Sequence, residues 1–140
     1  MQWNKSTRYA LYAMTEMAAA GTALVTVGAV AEKYGMPQSA LAKVFQQLVR
    51  AGLAISLRGV GGGYRLSKPP SEFTVLEVMD VFEPRTQAHG HCLVGPSDRG
   101  NCRLTLSCKI RKLFDEVDGQ MRSTFGSVTL ETLASSSLSV

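Results

Sequence analysis

The chain has 140 residues, of which 45% are hydrophobic, enough for one well-buried domain or a small domain with an oligomerisation element. Its net charge of +4 is unevenly placed: residues 1–70 carry eight Lys/Arg against two acidic side chains, and residues 71–140 carry seven basic against nine acidic, so a polyanion would bind the first half. The longest uncharged run, Met17 to Ala31, has 15 residues and contains Gly21, Thr22, Thr26 and Gly28; it is too short and polar to span a membrane, and with Glu16 interrupting the apolar stretch after Lys5 and Arg8 the chain reads as cytoplasmic, without a signal peptide.

Ala10, Leu11, Met14, Met17 and Ala18 recur at helical spacing and predict a first helix over 7–20, ended by Gly21. Thr26 is placed to cap a second helix over 27–34, with Val27, Val30 and Ala31 inward and Gly35 as its left-handed stop. Pro37 opens a third helix. Its apolar stripe is Leu41, Val44, Phe45, Leu48 and Val49; Gln38, Ser39, Lys43, Gln46, Gln47 and Arg50 lie off that stripe, and Gly52 closes it. Short strands over 54–58 and 64–67 flank a turn of Gly59, Val60, Gly61, Gly62 and Gly63. After Pro69 and Pro70, Thr74 and Glu77 form a capping box for a fourth helix reaching Phe82. Residues 84–105 have no apolar period and read as a long loop. Leu106, Ile110, Leu113, Phe114, Val117, Met121 and Phe125 predict a last helix over 105–125, ended by Gly126, whose stripe is too wide for a lone helix to leave exposed. The tail after Ala134 is mostly Ser and reads as frayed.

Two short helices with a tight turn, followed by a Gly-tipped hairpin, give the order of a winged helix-turn-helix. The fold expected is mainly α, with a small β-hairpin wing. In that arrangement the third helix enters the major groove N-terminus first, offering Gln38, Ser39 and Lys43. Gln can hold adenine by two hydrogen bonds, and Lys can donate to guanine. The wing, Arg58, Gly61, Gly62, Gly63, Tyr64 and Arg65, would lie against backbone or minor groove, its glycines allowing close approach. A nucleotide loop fits poorly: Tyr64 stands where the last Gly of a dinucleotide motif belongs, and no Gly-Lys-Ser/Thr is present. Nor does an enzyme fit, since there is no Ser/His/Asp set or paired-carboxylate cleft.

All three cysteines, Cys92, Cys102 and Cys108, fall in one irregular stretch. An odd count in a reducing compartment is poor material for a disulfide framework. Thiolates suit iron–sulfur clusters, zinc or copper(I), and three of them leave a fourth position for which His89 and His91, the only histidines, are candidates. Four alternatives stay open, inert free cysteines being the last of them. The first is a thiol–disulfide switch, favoured by the neighbouring cations Arg99, Arg103, Lys109 and Arg111. The second is structural zinc, for which paired Cys-x-x-Cys spacing is missing. The third is an electron-transfer protein that uses the cluster itself.

Ser6 to Ala10, the Leu41–Phe45 core of the third helix, Ala51-Gly52-Leu53 and above all the Arg58-Gly59-Val60-Gly61-Gly62-Gly63-Tyr64 wing resemble the bacterial repressor family that includes the iron–sulfur regulator IscR, the nitric-oxide sensor NsrR and CymR. The resemblance spans roughly residues 1–125. It implies homodimers on double-stranded DNA with dyad-symmetric operators, paired through the long C-terminal helix. It also implies a [2Fe–2S] or [4Fe–4S] cluster on Cys92, Cys102 and Cys108, through which redox state, nitric oxide or iron–sulfur status sets operator affinity. Five residues separate Cys102 from Cys108, as in cluster-binding members, but nine separate Cys92 from Cys102, more than is usual. Arg111 replaces the histidine ligand of one branch and Arg8 the acidic ligand of another. The expected organisation is a winged-helix DNA-binding domain over 1–83, a cofactor loop over 84–105, a dimerisation helix over 106–126 and a C-terminal segment over 127–140.

Overall fold

The computed structural model describes residues 3–83 and 108–135. Helix α1 (Lys5–Ala20) starts where the Asn4 side chain accepts the Ser6 N–H, two residues before the predicted start. Ala10, Ala13, Met14 and Met17 are all 0% exposed, and α1 is the spine against which three of the later helices pack. Its alanines keep the face shallow enough for close helix approach. Helix α2 (Val27–Tyr34) is capped by Thr26, which accepts the Ala29 N–H, and ends at Gly35 with φ 64°. There the Met36 N–H donates back to the Ala31 carbonyl at 2.9 Å, fixing the tight turn into α3 (Gln38–Arg50).

Leu41, Val44, Phe45 and Leu48 carry α3 into the core. Strands β1 (Ala54–Leu57) and β2 (Gly63–Leu66) pair antiparallel, with Ala54 opposite Leu66 and Leu57 opposite Gly63. Val25 adds a short third rung: its N–H and carbonyl each bond Tyr64 at 2.8 Å. The expected capping box opens α4 (Val75–Phe82), with Thr74 and Glu77 bonding reciprocally. A 3-10 turn (Pro70–Glu72) precedes it.

Helix α5 (Lys109–Ser127) runs through Gly126 instead of stopping at it. A Cβ there would lie 3.5 Å from Leu76 Cδ2, so the glycine sits where α5 passes close to α4. Helix α6 (Leu130–Ala134) was not expected; five residues are too few to carry a period, but Thr129 caps it. Leu130 is 0% exposed in the α1 core, a burial worth about 1.5–3 kcal/mol. Its N–H donates to the Phe73 carbonyl, and the Val75 N–H donates to Val128, so the segment after α5 closes over the N-terminal unit.

Three polar ties brace these helices. Arg122 holds Asp80 by two parallel N–H···O bonds at 3.1 Å, joining α5 to α4; this raises the Arg122 pKa. Glu83 accepts the Asn4 N–H at 2.8 Å and the hydroxyl of Thr7, which is 0% exposed, joining the end of α4 to the start of α1. Glu16 on α1 accepts from Lys33 and Tyr34 on α2. The Lys33 hydrogen bond, then that of Tyr34, lowers the Glu16 pKa, and the same bond to Glu16 raises Lys33.

Candidate DNA interface and cysteine segment

The α3 N-terminus lies at the surface. Pro37, its N-cap, makes no side-chain cap hydrogen bond, which leaves first-turn N–H groups directed at whatever approaches. Gln38, Ser39 and Lys43 are all exposed around that end. No ion pair engages Lys43, Arg50, Arg58 or Arg65 among the described residues.

The wing places its residues in different roles. Val60 stands fully exposed at the tip, and Arg58 is exposed at the root. Tyr64 is half-buried, its ring 4.6 Å from that of Phe45, so it anchors the wing to α3. Arg65 is also half-buried, and its Nε has no hydrogen-bond partner. Gly61 has φ 75° and open space around it. Gly62 and Gly63 answer to the chain's own backbone: a Cβ on Gly62 would lie 2.3 Å from the Leu57 carbonyl oxygen, and one on Gly63 would lie 2.8 Å from that of Val25. Those two glycines let the hairpin close, whatever else approaches it.

Between α3 and the wing lies an open cleft of about 570 Å³, with Gln46, Arg50, Ser56, Arg58 and Tyr64 among its walls and no carboxylate. Gln46, Arg50 and Ser56 were not singled out as site residues in the sequence. The available signals were that Gln46 and Arg50 are four apart on the polar face of α3, and that Ser56 and Arg58 alternate onto one face of a strand.

Cys92, Cys102, His89 and His91 lie outside the described residues. Cys108 is half-buried and is the N-cap of α5, where its side chain makes no cap hydrogen bond. Arg111 forms an ion pair with Asp115 at 3.7 Å, one turn along. Among the described residues no group of three or more His, Cys, Asp or Glu is placed to hold a metal. Beyond Cys108, α5 exposes Ile110, Leu113, Phe114 and Val117, each between 44% and 58%. No described helix is long and apolar enough to cross a membrane.

A helix-turn-helix with an exposed recognition end, a cationic cleft and a hairpin wing defines a winged-helix DNA-binding transcriptional regulator. Residues 3–136 match the Rrf2 family, described as iron-dependent transcriptional regulators, and the chain belongs to that family. Over 83 residues it is 45% identical to the HTH-type transcriptional regulator BadM of Rhodopseudomonas palustris, covering 59% of this chain and 53% of that protein, so it spans about half of that relative. An HTH-type regulator of Neisseria meningitidis serogroup A is 32% identical over 127 residues, 90% of this chain and 82% of that one. The solved structure of CymR, the global cysteine regulator of B. subtilis, superposes with TM-score 0.77 at 26% identity, covering 96% of this chain and 97% of CymR. T. potens IscR shares the fold with TM-score 0.76 at 23% identity, covering 96% and 88%.

Proposed function

We propose that this regulator is a homodimeric repressor whose affinity for a dyad-symmetric operator is set by an iron–sulfur cluster on Cys92, Cys102 and Cys108. The observation that carries this reading is the position of Cys108. Its sulfur takes no part in capping α5, and the positive end of a helix favours the net negative charge of a thiolate-ligated cluster. Three thiolates are a soft donor set suited to [2Fe–2S] or [4Fe–4S]. Arg111 brings no ligand, so the fourth position falls to another group, with His89 and His91 as candidates. When bound, such a cluster supplies a centre sensitive to oxidants, nitric oxide and iron supply.

The chain's own residues provide a route from that centre to DNA. Cys108 begins α5, Arg122 ties α5 to Asp80 on α4, and Glu83 ties the end of α4 to Thr7 and Asn4 on α1. Helix α1 packs directly on α3. The Ile110, Leu113, Phe114 and Val117 stripe is the surface through which two copies pair, which sets the spacing of two recognition helices on successive major grooves. Each α3 reads bases with Gln38, Ser39 and Lys43, while Arg58, Arg65 and the Gly61–Tyr64 hairpin engage the flanking backbone or minor groove.

Anaerobic absorption spectra with iron and acid-labile sulfide assays, run beside a Cys108→Ala variant, test the cluster. A visible band and bound iron that the variant loses are expected; an iron-free protein after reconstitution would refute it. Half-exposed Cys108 also supports a second reading, a thiol–disulfide switch, for which peroxide should lower the titratable thiol count and change DNA affinity.

A further inference from the structure

We propose that the cleft between α3 and the wing seats a backbone phosphate of duplex DNA, with Arg50 and Arg58 as its cationic walls and Gln46 and Ser56 as neutral donors. The inference rests on the DNA-binding function of the family and assigns Arg50, Gln46 and Ser56 a part in it.

The geometry separates phosphate from base. At 1.5 Å rise per residue, Arg50 lies about 18 Å along α3 from Gln38. The major groove is only ~12 Å wide and ~8.5 Å deep. A helix that leads with Gln38 therefore carries Arg50 beyond the base edges, to the sugar–phosphate wall. With the wing against the adjacent backbone or minor groove, as proposed above, one strand would run between the two elements, where the cleft is.

The chemistry agrees. The cleft is open, with two guanidinium side chains and no carboxylate in its lining. No ion pair among the described residues satisfies either cation. Guanidinium forks bind phosphate oxygens in pairs. The cleft floor is firm, because Tyr64 is held by the Phe45 ring and by two backbone bonds to Val25. Phosphate can thus be gripped without the wing having to fold around it.

The test is a salt titration of full-length protein by fluorescence anisotropy on a labelled random-sequence duplex of about 30 base pairs, three helical turns. Each neutralised phosphate contributes about −0.9 to the slope of log K against log salt. Arg50→Gln is expected to make the slope shallower by about 0.9 per protomer and to weaken binding by a similar factor on a second duplex of unrelated sequence. Arg50→Lys should retain the slope. Arg50 is exposed and off the core, and equal melting temperatures verify that the variants fold. An unchanged slope in Arg50→Gln, or a loss confined to one of the two duplexes, would overturn the seat while leaving DNA binding intact. Inorganic phosphate that binds DNA-free wild type and is lost in Arg50→Gln, with the salt slope on both duplexes unchanged, would also overturn it, by making the cleft a small-anion site. A wild type that ignores both duplexes would remove the DNA-binding function and the seat with it.

Discussion

The Thr7–Glu83 tie is open to a quantitative test. Thr7 is 0% exposed and its hydroxyl donates to the Glu83 carboxylate, which also accepts the Asn4 N–H at 2.8 Å. A hydrogen bond to a charged group contributes about 1.5–3 kcal/mol, and a buried donor left without a partner costs about 1–3 kcal/mol. Thr7→Val keeps the volume and removes the donor; the Asn4 bond survives, so a loss of about 1–2 kcal/mol is expected. Glu83→Ala strands both donors and should cost about 2–3 kcal/mol. If one bond joins the two residues, the double variant should be more stable than the sum of the losses predicts, by roughly 1–1.5 kcal/mol, a factor of about ten in the unfolding equilibrium constant. Urea unfolding at one fixed protein concentration measures this, because a dimer's midpoint moves with concentration. Losses that add to within about 0.3 kcal/mol would mean that the two side chains do not act together, and the proposed route from α4 to α1 would lose its link.

Three further outcomes are expected. Gly62→Ala places a Cβ 2.3 Å from the Leu57 carbonyl oxygen, an overpacking of about 1–3 kcal/mol confined to the wing; anisotropy should show weakened DNA binding, whereas Gly61→Ala meets open space and carries only the strain of its positive φ. Phe114→Asp puts a charge in the exposed α5 stripe, and sedimentation should find monomers; a persistent dimer would place the interface elsewhere. Glu16 is held below its ordinary 4.5 by Lys33 first and Tyr34 second, so the stability it contributes is present above about pH 4.5 and disappears as pH falls through its depressed folded value. Glu16→Gln should therefore melt earlier than wild type at neutral pH, with the gap closing in acid; a constant gap across that range would contradict the assignment.

The elements of the reading half were legible because each rests on local chemistry. Thr26, Gly35, Thr74 and Glu77 act within a turn of themselves, and they cap or stop helices where the sequence predicts. The stripe of Leu41, Val44, Phe45 and Leu48 has one period and one buried face. Composition and charge placed the partner on the basic half for the same reason: charges are counted residue by residue.

Tertiary structure decided what depends on distant residues. No apolar period announces α6, whose five residues are capped by Thr129 and anchored by Leu130, buried in the core beside α1. Gly126 reads as the helix stop, and α5 ends one residue beyond it, at Ser127, where it lies beside Leu76 of α4. Gly62 and Gly63 look like openings for DNA, yet the carbonyls of Leu57 and Val25 demand them. Only the folded chain sets Arg50 across a cleft from Arg58, or Glu83 beside Thr7. By itself the sequence determined the class of protein, its recognition helix and its wing. The tertiary structure decided which of those residues are held within the fold and which stand exposed on it, because that division depends on what lies within a few ångströms in space and not on what lies adjacent in the chain.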